Sequence, residues 1–423
     1  MWQKIINTLF PSRSSQQSNH AEAEKSKLQE IPLIELPFSL KAISKEAFKT
    51  VGTLQKNKFQ GLIVGGAVRD LIAAKTPKDF DIATDATPEE VKKLFRRALI
   101  IGRRFPIVHV HQNHHVLEVS TFRKESKFLD EAGRIVRDNI YGSLEEDAKR
   151  RDFTCNALYL DPYKKIVYAF PGAIKDLKDK RLVMIGDADI RLKEDPIRIV
   201  RGLRIAGKLG LSLSAALQES MRRAAPLLKN EPPSRLFDEW AKIIYSGKSR
   251  IIFASLEAMG LLPFVHPIME EIAAYPENDH VLIGATLAQT DERIQKDKGV
   301  SLGFVTAALL WPLVYHLWQE KKRQGLKSPH ALNDAINEVL TSKRAQWEIP
   351  NRLFASINAI WRTQHRLENA RSHRQVEKLR HQPRFRAAYD FLLLRAKANN
   401  TNAEKAKWWQ ETVMKAVSYT HLR

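Results

Sequence analysis

The sequence predicts an α+β fold, in which a small mixed sheet forms the N-terminal part and helices alone form the second half. Up to about Ile185, stretches of alternating apolar and polar residues, typical of strands, are interspersed with helical patterns. From Asp189 onward the apolar residues recur at helical spacing and strand signals are almost absent. A chain of 423 residues is long enough for two to four domains with buried cores.

The composition indicates a partner that carries negative charge. The chain has 69 Lys and Arg residues against 48 Asp and Glu residues, which gives a net charge of +21. A surface this basic attracts polyanions, of which nucleic acid is the commonest in a cell; acidic membrane lipid is the alternative. We therefore expect a nucleic acid as a partner.

Cysteine content and hydropathy indicate the compartment. A single cysteine, Cys155, excludes an internal disulfide and fits a reducing environment. No run approaches the roughly 20 apolar residues that cross a bilayer, and Met1–Phe10 is too short and too interrupted for a secretory signal. The sequence thus predicts a cytoplasmic protein with no membrane partner.

Local patterns predict the elements of the N-terminal part. A leader, residues 1–35, is expected to be disordered because Ser12–Glu30 is rich in Ser, Gln, Glu and Lys and lacks aromatic residues. The patterns that follow predict, in chain order, helix Ile43–Gln55, strand Phe59–Val64, helix Ala67–Ala73, strand Lys78–Ala83, helix Pro88–Ala98, strand Ile107–His111 and strand Val116–Phe122.

Tryptophan recurs through the helical half at spacings that fit helix faces. Such residues belong to a core more often than to a base-stacking platform, so we expect most of them to be buried. They are Trp311, Trp318, Trp347, Trp361, Trp408 and Trp409.

A pair of glycines forms the first candidate for ligand binding. A predicted strand enters Gly65-Gly66 and a helix follows, so a phosphate could approach backbone N–H groups at the positive end of that helix. Arg69 lies in the first turn of the helix, where it could reach an anionic ligand. Taken alone, the two glycines are better explained as a tight turn.

Two aspartates provide the second candidate. Asp79 and Asp81 lie two apart on the predicted strand, so both carboxylates project from one side while Phe80 packs behind them. Carboxylates this close repel each other unless a cation compensates. Mg²⁺ prefers oxygen ligands and is usually held by one or two carboxylates together with substrate phosphates. The alternative is a pair of solvent-facing acids on an edge strand.

Two further acids remain ambiguous on sequence grounds. Glu118, in an alternating strand, either completes a cluster of three carboxylates or is a surface residue. Asp152 follows Arg150-Arg151, and its charged surroundings alone favour a solvated helix face.

The segment EDPIRIVRGLR, Glu194–Arg204, predicts a helix that begins around Pro196 and carries Asp195, Arg198 and Arg201 on one face. A carboxylate beside a guanidinium offers an acceptor and a donor, which match the pairing edge of adenine or cytosine but not that of guanine or uracil. On spacing alone, a surface salt bridge is the likelier interpretation.

Taken in order, these segments resemble the class II branch of the nucleotidyltransferase superfamily, which contains bacterial CCA-adding enzymes and poly(A) polymerases. The finer resemblance is to the poly(A) polymerase I branch and covers nearly all of residues 40–410. The segments that carry the general resemblance are GGAVRD (65–70), DFD (79–81), LEVSTFR (117–123), RRDFTCNAL (150–158) and EDPIRIVRGLR (194–204). Those that carry the finer one are IIGRRFPIVHV (100–110), RDNIYGSLEEDAKRRDF (137–153), PPSRLFDE (232–239) and HQPRFRAAYDFLLLRA (381–396).

The resemblance implies a polymerase-beta-like nucleotidyltransferase head at residues 36–188, a helical neck at 189–280 that binds nucleotide and RNA, and a helical RNA-binding body and tail at 281–423. It implies that Asp79 and Asp81 hold two Mg²⁺ ions and that Asp152 joins them as a catalytic residue. Glu118 stays open, either as a third carboxylate or as a surface residue. The residues implied to bind ATP, through its triphosphate or its base, are Gly65, Gly66, Arg69, Arg123, Asn156, Asp195, Arg198 and Arg201.

The implied activity is template-independent addition of AMP from ATP to RNA 3′ ends, which promotes RNA decay. The expected partners are RNA 3′ ends, ATP and RNA-decay factors. CCA addition to tRNA is the alternative that uses the same head, and an RNA-binding protein without catalysis is the second. Gly202 and Cys155 stand where the family often has Ala and Ile, which we interpret as changes in packing.

Overall fold

The computed structural model describes six stretches of the chain: residues 27–102, 106–113, 115–124, 141–275, 279–347 and 349–420. Most of the predicted leader therefore lies outside the described residues, as do residues 103–105 and 137–140 of the segments that carry the finer resemblance. The chain forms two compact units, which divide between Ala224 and Ala225. We describe each unit by itself.

The first unit is organised by an eight-stranded mixed sheet with the strand order β1-β8-β7-β2-β3-β6-β5-β4. Only the pairing of β3 with β6 is parallel among these neighbours. The strands are β1 (Gln29–Pro32), β2 (Gly61–Val64), β3 (Asp81–Thr84), β4 (Ala98–Ile101), β5 (Ile107–Gln112), β6 (His115–Thr121), β7 (Leu158–Asp161) and β8 (Ile166–Ala169). A short parallel pair joins β9 (Arg181–Leu182) to β10 (Ser212–Leu213).

The helices of the first unit alternate with these strands. They are α1 (Lys45–Lys56), α2 (Gly66–Ile72), α3 (Pro88–Leu94), α4 (Leu144–Lys149), α5 (Ala173–Lys178), α6 (Ala188–Glu194), α7 (Ile197–Leu209) and α8 (Ala215–Ala224). Helix α1 begins where the Ser44 side chain accepts a hydrogen bond from the Ala47 N–H, and α3 begins with a capping box between Thr87 and Glu90. These side chains satisfy backbone donors that would otherwise lack partners.

Helices α1 and α3 cover one face of the sheet. Both pack against β6, α1 also against β2 and β3, and α3 against β4 and β5. The apolar side of α1, which includes Ala47, Val51 and Leu54, is fully buried. Burial of that side stabilises the helix more than its intrinsic propensity does. The other face of the sheet is therefore left for the functional residues.

The boundary of the predicted leader is wrong at its C-terminal end. Gln29–Pro32 forms strand β1 and pairs with β8, and the Leu33 N–H donates to the Lys165 carbonyl at 2.8 Å. An edge strand is stabilised by backbone hydrogen bonds, so its polar composition gave no sign of the pairing.

The second unit is helical, as predicted. In its described residues, 225–275, 279–347 and 349–420, no strand occurs. Its helices are α9 (Pro233–Ile244), α10 (Ser249–Ala258), α11 (Leu262–Val265), α12 (Pro267–Ala273), α13 (His280–Gln295), α14 (Leu302–Leu309), α15 (Trp311–Arg323), α16 (Ser328–Trp347), α17 (Asn351–Asn369), α18 (His373–Arg380), α19 (Phe385–Lys397) and α20 (Ala403–Thr420).

Tryptophans of the second unit form its core, which confirms the expectation for Trp311, Trp361 and Trp409. All three are fully buried, and each indole N–H has an acceptor. Trp361 donates to the Ala307 carbonyl at 2.9 Å and Trp409 to the Leu367 carbonyl at 2.8 Å. A buried indole contributes a large apolar area, and the paired N–H avoids a desolvation penalty.

Residues 189–224 belong to the same compact unit as the head, so the predicted neck, 189–280, divides between the two units. The reason is packing: α8 contacts α6, and α7 contacts α6 and β9. Helical periodicity shows where strands end, but it does not show which core a helix joins.

In the described stretches, no helix is both long enough and apolar enough to cross a membrane.

Gly202 in α7 provides a test of the packing. A Cβ at this position would lie 2.7 Å from the Cζ atom of Phe153 and 3.0 Å from the Cε atom of Met221. Overpacking typically costs about 1–3 kcal/mol, whereas replacing a helical glycine by alanine gains up to about 1 kcal/mol. We expect Gly202→Ala to lower the free energy of unfolding by about 1 kcal/mol, measured by urea denaturation.

The matched control is Gly299→Ala, because no atom lies within 4 Å of a Cβ at that position. Its stability should equal that of the wild type. A Gly202→Ala variant that is more stable than the wild type would contradict the packing described here.

Candidate active site

Asp79 and Asp81 lie where the chain enters the middle of the sheet. Strand β3 begins at Asp81, so the prediction that it begins at Lys78 is wrong, and Asp79 lies in the preceding loop. The predicted orientation does not depend on that boundary, because Asp79 and Asp81 are both exposed while Phe80 between them is buried. The two carboxylates therefore reach solvent next to each other.

Glu118 is the neighbour of Asp81 on the adjacent strand. Strands β3 and β6 run parallel with Ile82 opposite Val119, which sets Asp81 beside Glu118 on one face of the sheet. Both carboxylates are exposed, and the Glu118 Oε1 atom lies 3.6 Å from Nε2 of His109. A third acid thus lies beside the pair.

The surroundings of Asp81 disfavour its negative charge. Although the Asp81 side chain reaches solvent, protein atoms packed around its carboxyl displace part of the water, and this loss is the largest cause. Repulsion from Glu118 and, less strongly, from Asp79 adds to it, and the positive charge of Arg151 opposes it. Together these effects raise the pKa of Asp81 to about 6. A bound cation would remove this penalty.

The donor set suits a hard divalent cation that shares its ligands with a substrate. Among the described residues, no group of three or more His, Cys, Asp or Glu side chains is arranged to hold a metal ion. Asp79 and Asp81 supply exposed carboxylate oxygens, with the exposed Glu118 beside them, and Mg²⁺ is typically held by one or two carboxylates plus substrate phosphates. The residues present therefore fit Mg²⁺ completed by nucleotide, and they do not form a closed protein cage.

Gly65 makes the turn between β2 and α2. Its φ of 62° and ψ of −120° lie in a backbone region that residues other than glycine rarely adopt. A Cβ at this position would also lie 3.2 Å from Nη1 of Arg151. Gly65 is therefore required both by backbone conformation and by the close approach of an arginine.

Arg151 is the site residue that the sequence analysis did not identify. It lies beside Gly65, and its charge acts on Asp81. Its Nε donates to the Tyr159 hydroxyl at 2.8 Å, and its guanidinium lies 5.0 Å from the centre of the Tyr159 ring. Burial opposes the charge of Arg151, but Tyr159 and Asp147 outweigh that effect and raise its pKa. It carries a permanent positive charge next to the acid pair.

Asp147 holds Arg151 in place. One carboxylate oxygen accepts from Nη2 of Arg151 at 3.0 Å and from the Tyr159 hydroxyl at 2.7 Å, and the other accepts from Nη2 of Arg150 at 2.7 Å. Burial alone would raise the pKa of Asp147, but Arg151, Arg150 and the hydrogen bond from Tyr159 lower it to about 2. The spacing of Asp147 from the two arginines, three and four residues, was the signal that could have revealed it.

Arg69 takes part in a chain of side-chain contacts. Its Nε donates to Asp70 at 3.0 Å and its Nη1 to the Asn156 side-chain oxygen at 2.6 Å. Asp70 also accepts from Nζ of Lys208, on α7, at 2.7 Å. The arginine predicted to contact triphosphate is thus near Gly66, but acidic and amide groups hold it in this state.

Asp152 is buried and fully engaged. Its two oxygens accept from Asn156 at 2.9 Å and from Nη1 of Arg201 at 3.0 Å, and its own carboxylate also accepts from the Phe153 N–H. Burial would raise the pKa of Asp152, but Arg201 and the hydrogen bonds lower it. The Asp152 carboxylate positions Asn156 and Arg201. Because it is buried, the interpretation as a solvated helix face, which its charged surroundings favoured, is wrong.

The prediction that Asp195, Arg198 and Arg201 share one helical face is wrong for Asp195. Helix α6 ends at Glu194 and α7 begins at Ile197, so Asp195 lies between two helices with a φ of −144° and a ψ of 88°. The physical reason is Pro196, which disfavours helical conformation in the residue before it. Asp195 therefore does not lie on one helical face with the two arginines.

Arg198 is held against α6. Its Nη1 donates to the Arg191 carbonyl at 2.6 Å and to Glu194 at 3.2 Å. Burial and repulsion from Arg191 lower the pKa of Arg198, and Asp195 and Glu194 partly offset this. Arg191 in turn donates to the carbonyls of Arg150 and Arg151 at 2.6 and 3.1 Å, which ties helix α6 to the RRDF motif.

Arg123 contributes to the same region through its backbone. Its N–H donates to Asp147 at 3.2 Å, and its Nη2 donates to the Pro106 carbonyl at 3.4 Å. The side chain is buried. In this state Arg123 stabilises the strand ends around Asp147.

Three family models match the chain. They are described as the Poly A polymerase head domain, over residues 62–183, the "Probable RNA and SrmB- binding site of polymerase A", over residues 210–272, and the Polymerase A arginine-rich C-terminus, over residues 324–420.

Curated relatives match over most of the chain. Poly(A) polymerase I of Escherichia coli is 38% identical over 430 residues, which cover 97% of this chain and 91% of the relative. Poly(A) polymerase I of Haemophilus influenzae is 36% identical and covers 90% of this chain and 87% of its own length. The CCA-adding enzyme of Streptococcus pyogenes is 40% identical over 200 residues, which are 47% of this chain and 49% of that enzyme.

Solved structures share the fold. A tRNA-processing enzyme in an apo form has a TM-score of 0.58 at 22% identity and covers 86% of this chain and 95% of its own. A tRNA nucleotidyltransferase complexed with a primer tRNA and an incoming ATP analogue has a TM-score of 0.57 at 21% identity. The match covers 87% of this chain and 99% of that one. At these identities the likeness concerns the fold alone.

A mixed sheet that exposes two aspartates beside a glycine turn, followed by helices, defines a nucleotidyltransferase. The sequence match to the Streptococcus pyogenes CCA-adding enzyme covers about half of this chain, whereas the sequence match to poly(A) polymerase I continues through the helical half. The chain belongs to the bacterial poly(A) polymerase I family. It is a polynucleotide adenylyltransferase that polyadenylates RNA, as the sequence predicted.

The raised pKa of Asp81 has a measurable consequence. Above about pH 6 the ionised carboxyl destabilises the metal-free fold, and this cost falls as the pH drops through the folded pKa and vanishes below the unfolded value of 3.8, where both states are protonated. Asp81→Asn should therefore raise the melting temperature in EDTA at pH 8, and the gain should disappear as the pH falls towards 4.

The control is Glu35→Gln, an exposed acid that follows the edge strand β1 and should leave the melting temperature unchanged at both pH values. A lower melting temperature of Asp81→Asn at pH 8 would show that the carboxylate stabilises the metal-free fold, contrary to the crowding described.

Asp147 should be required for folding of the head. Asp147→Asn leaves Arg150 and Arg151, which are half-buried, without their counter-charge. We therefore expect the free energy of unfolding at pH 7 to fall by about 3 kcal/mol or more, measured by urea denaturation. Because the pKa of Asp147 is lowered to about 2, its contribution is present above about pH 4 and declines as the pH falls towards 2.

The matched control is Asp189→Asn, which removes an exposed ion pair with Arg223. This variant should unfold at nearly the same urea concentration as the wild type, because solvent screens an exposed ion pair. Equal losses for the two variants would refute the special role of Asp147.

Proposed function

We propose that the head transfers AMP from ATP to the 3′-hydroxyl of RNA without a template, with two divalent ions at Asp79 and Asp81. The observation that carries this proposal is the placement of Asp79, Asp81 and Glu118 side by side, with exposed carboxylates. Loss of water, together with repulsion from Glu118 and Asp79, raises the pKa of Asp81 to about 6. A protein that only bound RNA would gain nothing from acids that repel both each other and the phosphate backbone.

Two Mg²⁺ ions at these carboxylates would lower the pKa of the attacking 3′-hydroxyl and neutralise charge on the triphosphate and the leaving pyrophosphate. Asp79 and Asp81 would hold them, with Glu118 close enough to bind through water. Asp81 begins the central strand β3 and Asp79 lies two residues earlier in the loop that enters it, so the strand anchors one end of the pair.

The triphosphate would lie at the turn made by Gly65 and Gly66. Arg151 supplies a permanent positive charge there, and Asp147 and Tyr159 fix its orientation before the substrate arrives. Arg69 lies at the same turn, and a polyphosphate could replace Asn156 as its acceptor. Pre-formed donors of this kind bind developing negative charge without reorganisation.

The base would face Asp195 and Arg198. An acceptor and a donor at this place fit the pairing edge of adenine, and of cytosine in the same order, so this pair alone does not separate the two. The contacts of Arg198 with Glu194 and the Arg191 carbonyl restrict where its guanidinium can point. We therefore assign the choice of adenine to the rigidity of this support.

The second unit would hold the RNA substrate. Its sequence matches models described as an RNA and SrmB-binding site and as an arginine-rich C-terminus, and the net charge of +21 favours a polyanion. Proteins of RNA decay are the protein partners that we propose, and the cytoplasm is the compartment.

The product ladder tests the reaction. Purified protein with Mg²⁺ and ATP should extend a generic oligoribonucleotide by many residues, and CTP alone should give far shorter products. Growth that requires tRNA and CTP and stops after a few residues would identify CCA addition instead.

Asp79→Ala tests the role of the acid pair. Loss of one ligand to the ions should reduce AMP incorporation by at least about a thousandfold, while RNA affinity measured by fluorescence anisotropy stays within about twofold of the wild type.

Asp179→Ala, which removes a partly exposed aspartate of the same unit, is the matched control and should retain incorporation. Incorporation by Asp79→Ala at the wild-type rate would refute the assignment of the ions to this pair.

A further inference from the structure

Strands β4, β5 and β6 present an exposed face next to the acid pair. Side chains alternate between the two faces of these strands. Val108, Val110 and Leu117 are buried and point towards α1 and α3, while their neighbours along the strands point the other way. The helices with extensive contacts to these strands, α1 and α3, both pack on the buried side. We call the exposed side the β4–β6 face and define it by Arg97, Leu99, Ile101, His109, His111 and Val116.

The β4–β6 face is unusually apolar for an exposed surface. Leu99 is 55% exposed, Val116 49% and Ile101 42%. Contiguous exposed apolar residues usually mark a binding surface. Imidazoles lie among them, since His109 is opposite Leu99 and His111 is opposite Val116 in the strand register.

The register connects this face directly to the carboxylates. One row of paired residues runs from Leu99 through His109 to Glu118, and Glu118 lies beside Asp81 on β3. A second row includes Arg97, whose carbonyl accepts from the His111 N–H, and it places an exposed arginine at the border of the face. Apolar, aromatic and cationic groups thus lie on one side of the acid pair.

The other side of the acid pair has a different character. Beyond Asp81, Gly65 follows the end of β2 and Tyr159 lies on β7, and the Arg151 guanidinium lies against both residues and brings positive charge there. A triphosphate with its many charges suits that side. The reacting 3′-hydroxyl must approach the same carboxylates from elsewhere, and the β4–β6 face is the exposed surface that adjoins them.

We propose that the β4–β6 face binds the 3′-terminal nucleotides of the RNA substrate, an assignment that rests on the proposed function. Bases of single-stranded RNA stack on imidazole rings and pack on apolar side chains without regard to sequence, and Arg97 contacts the backbone phosphate. Two strand spacings of about 4.8 Å separate β6 from β4, so the face accommodates about three nucleotides stacked roughly 3.4 Å apart.

Steady-state kinetics on the full chain test this proposal. The double variant Leu99→Ser, Val116→Ser removes apolar contact from exposed positions, so it should fold with the wild-type melting temperature. With Mg²⁺, ATP and a 20-nucleotide RNA, its KM for RNA should rise at least fivefold, while its KM for ATP and its kcat at saturating RNA stay within twofold.

Arg97→Ala tests the phosphate contact. The slope of log RNA affinity against log salt concentration should fall by about one unit, the value expected for one lost phosphate contact. The matched control for all these variants is Ile34→Ser, a fully exposed apolar residue next to the edge strand β1, on the far side of the sheet. It should change neither KM nor the salt slope.

Photo-crosslinking locates the RNA independently. A benzophenone side chain at position 99 should crosslink to the last three or four nucleotides of the RNA, and the same group at position 34 should not. An unchanged KM for RNA in the double variant, or crosslinks no stronger than those from position 34, would overturn the proposal and leave the face to a protein partner. Absence of an ATP-dependent ladder from the wild type would instead refute the proposed function.

Discussion

The placement of Arg151 by Asp147 is the interaction on which the head depends. Asp147 is buried with Tyr159 and binds two adjacent arginines, so one carboxylate decides where a permanent positive charge lies. That charge faces Asp81 and limits the space at Gly65, which therefore has to be a glycine. Arg151 thus sets the electrostatic environment of both the acid pair and the glycine turn, although it belongs to neither sequence motif.

A continuous set of polar contacts extends from this centre to α7. Arg69 binds Asn156, Asn156 binds Asp152, and Asp152 binds Arg201, so residues far apart in the chain share one buried network. Lys208 closes the network through Asp70. Buried polar groups of this kind are costly when a partner is removed, so the head and α7 hold each other in a defined arrangement. The residues proposed to bind the triphosphate are therefore held in place relative to α7, the helix that carries Arg198, which is proposed to face the base.

Much of the fold was predictable because periodicity is local. The helix Pro88–Ala98 and the strand Val116–Phe122 were found within a few residues of α3 and β6, and the helical second half was recognised from its spacing alone. Errors occurred where structure depends on a distant partner. Strand β1 exists because β8 offers backbone groups to it, and Pro196 separates α6 from α7 although the residues on both sides favour helix.

The sequence by itself determined the catalytic class, the family and the acid pair, because ordered motifs and the two-residue spacing of Asp79 and Asp81 are written in the chain. The tertiary structure decided which charges meet. It brought Glu118 beside Asp81 through a parallel pairing of strands that no local pattern specifies, and it turned Asp152 from a residue in a charged run into a buried partner of Arg201. Electrostatic contacts depend on distance and burial, and both are set only when separate segments pack together.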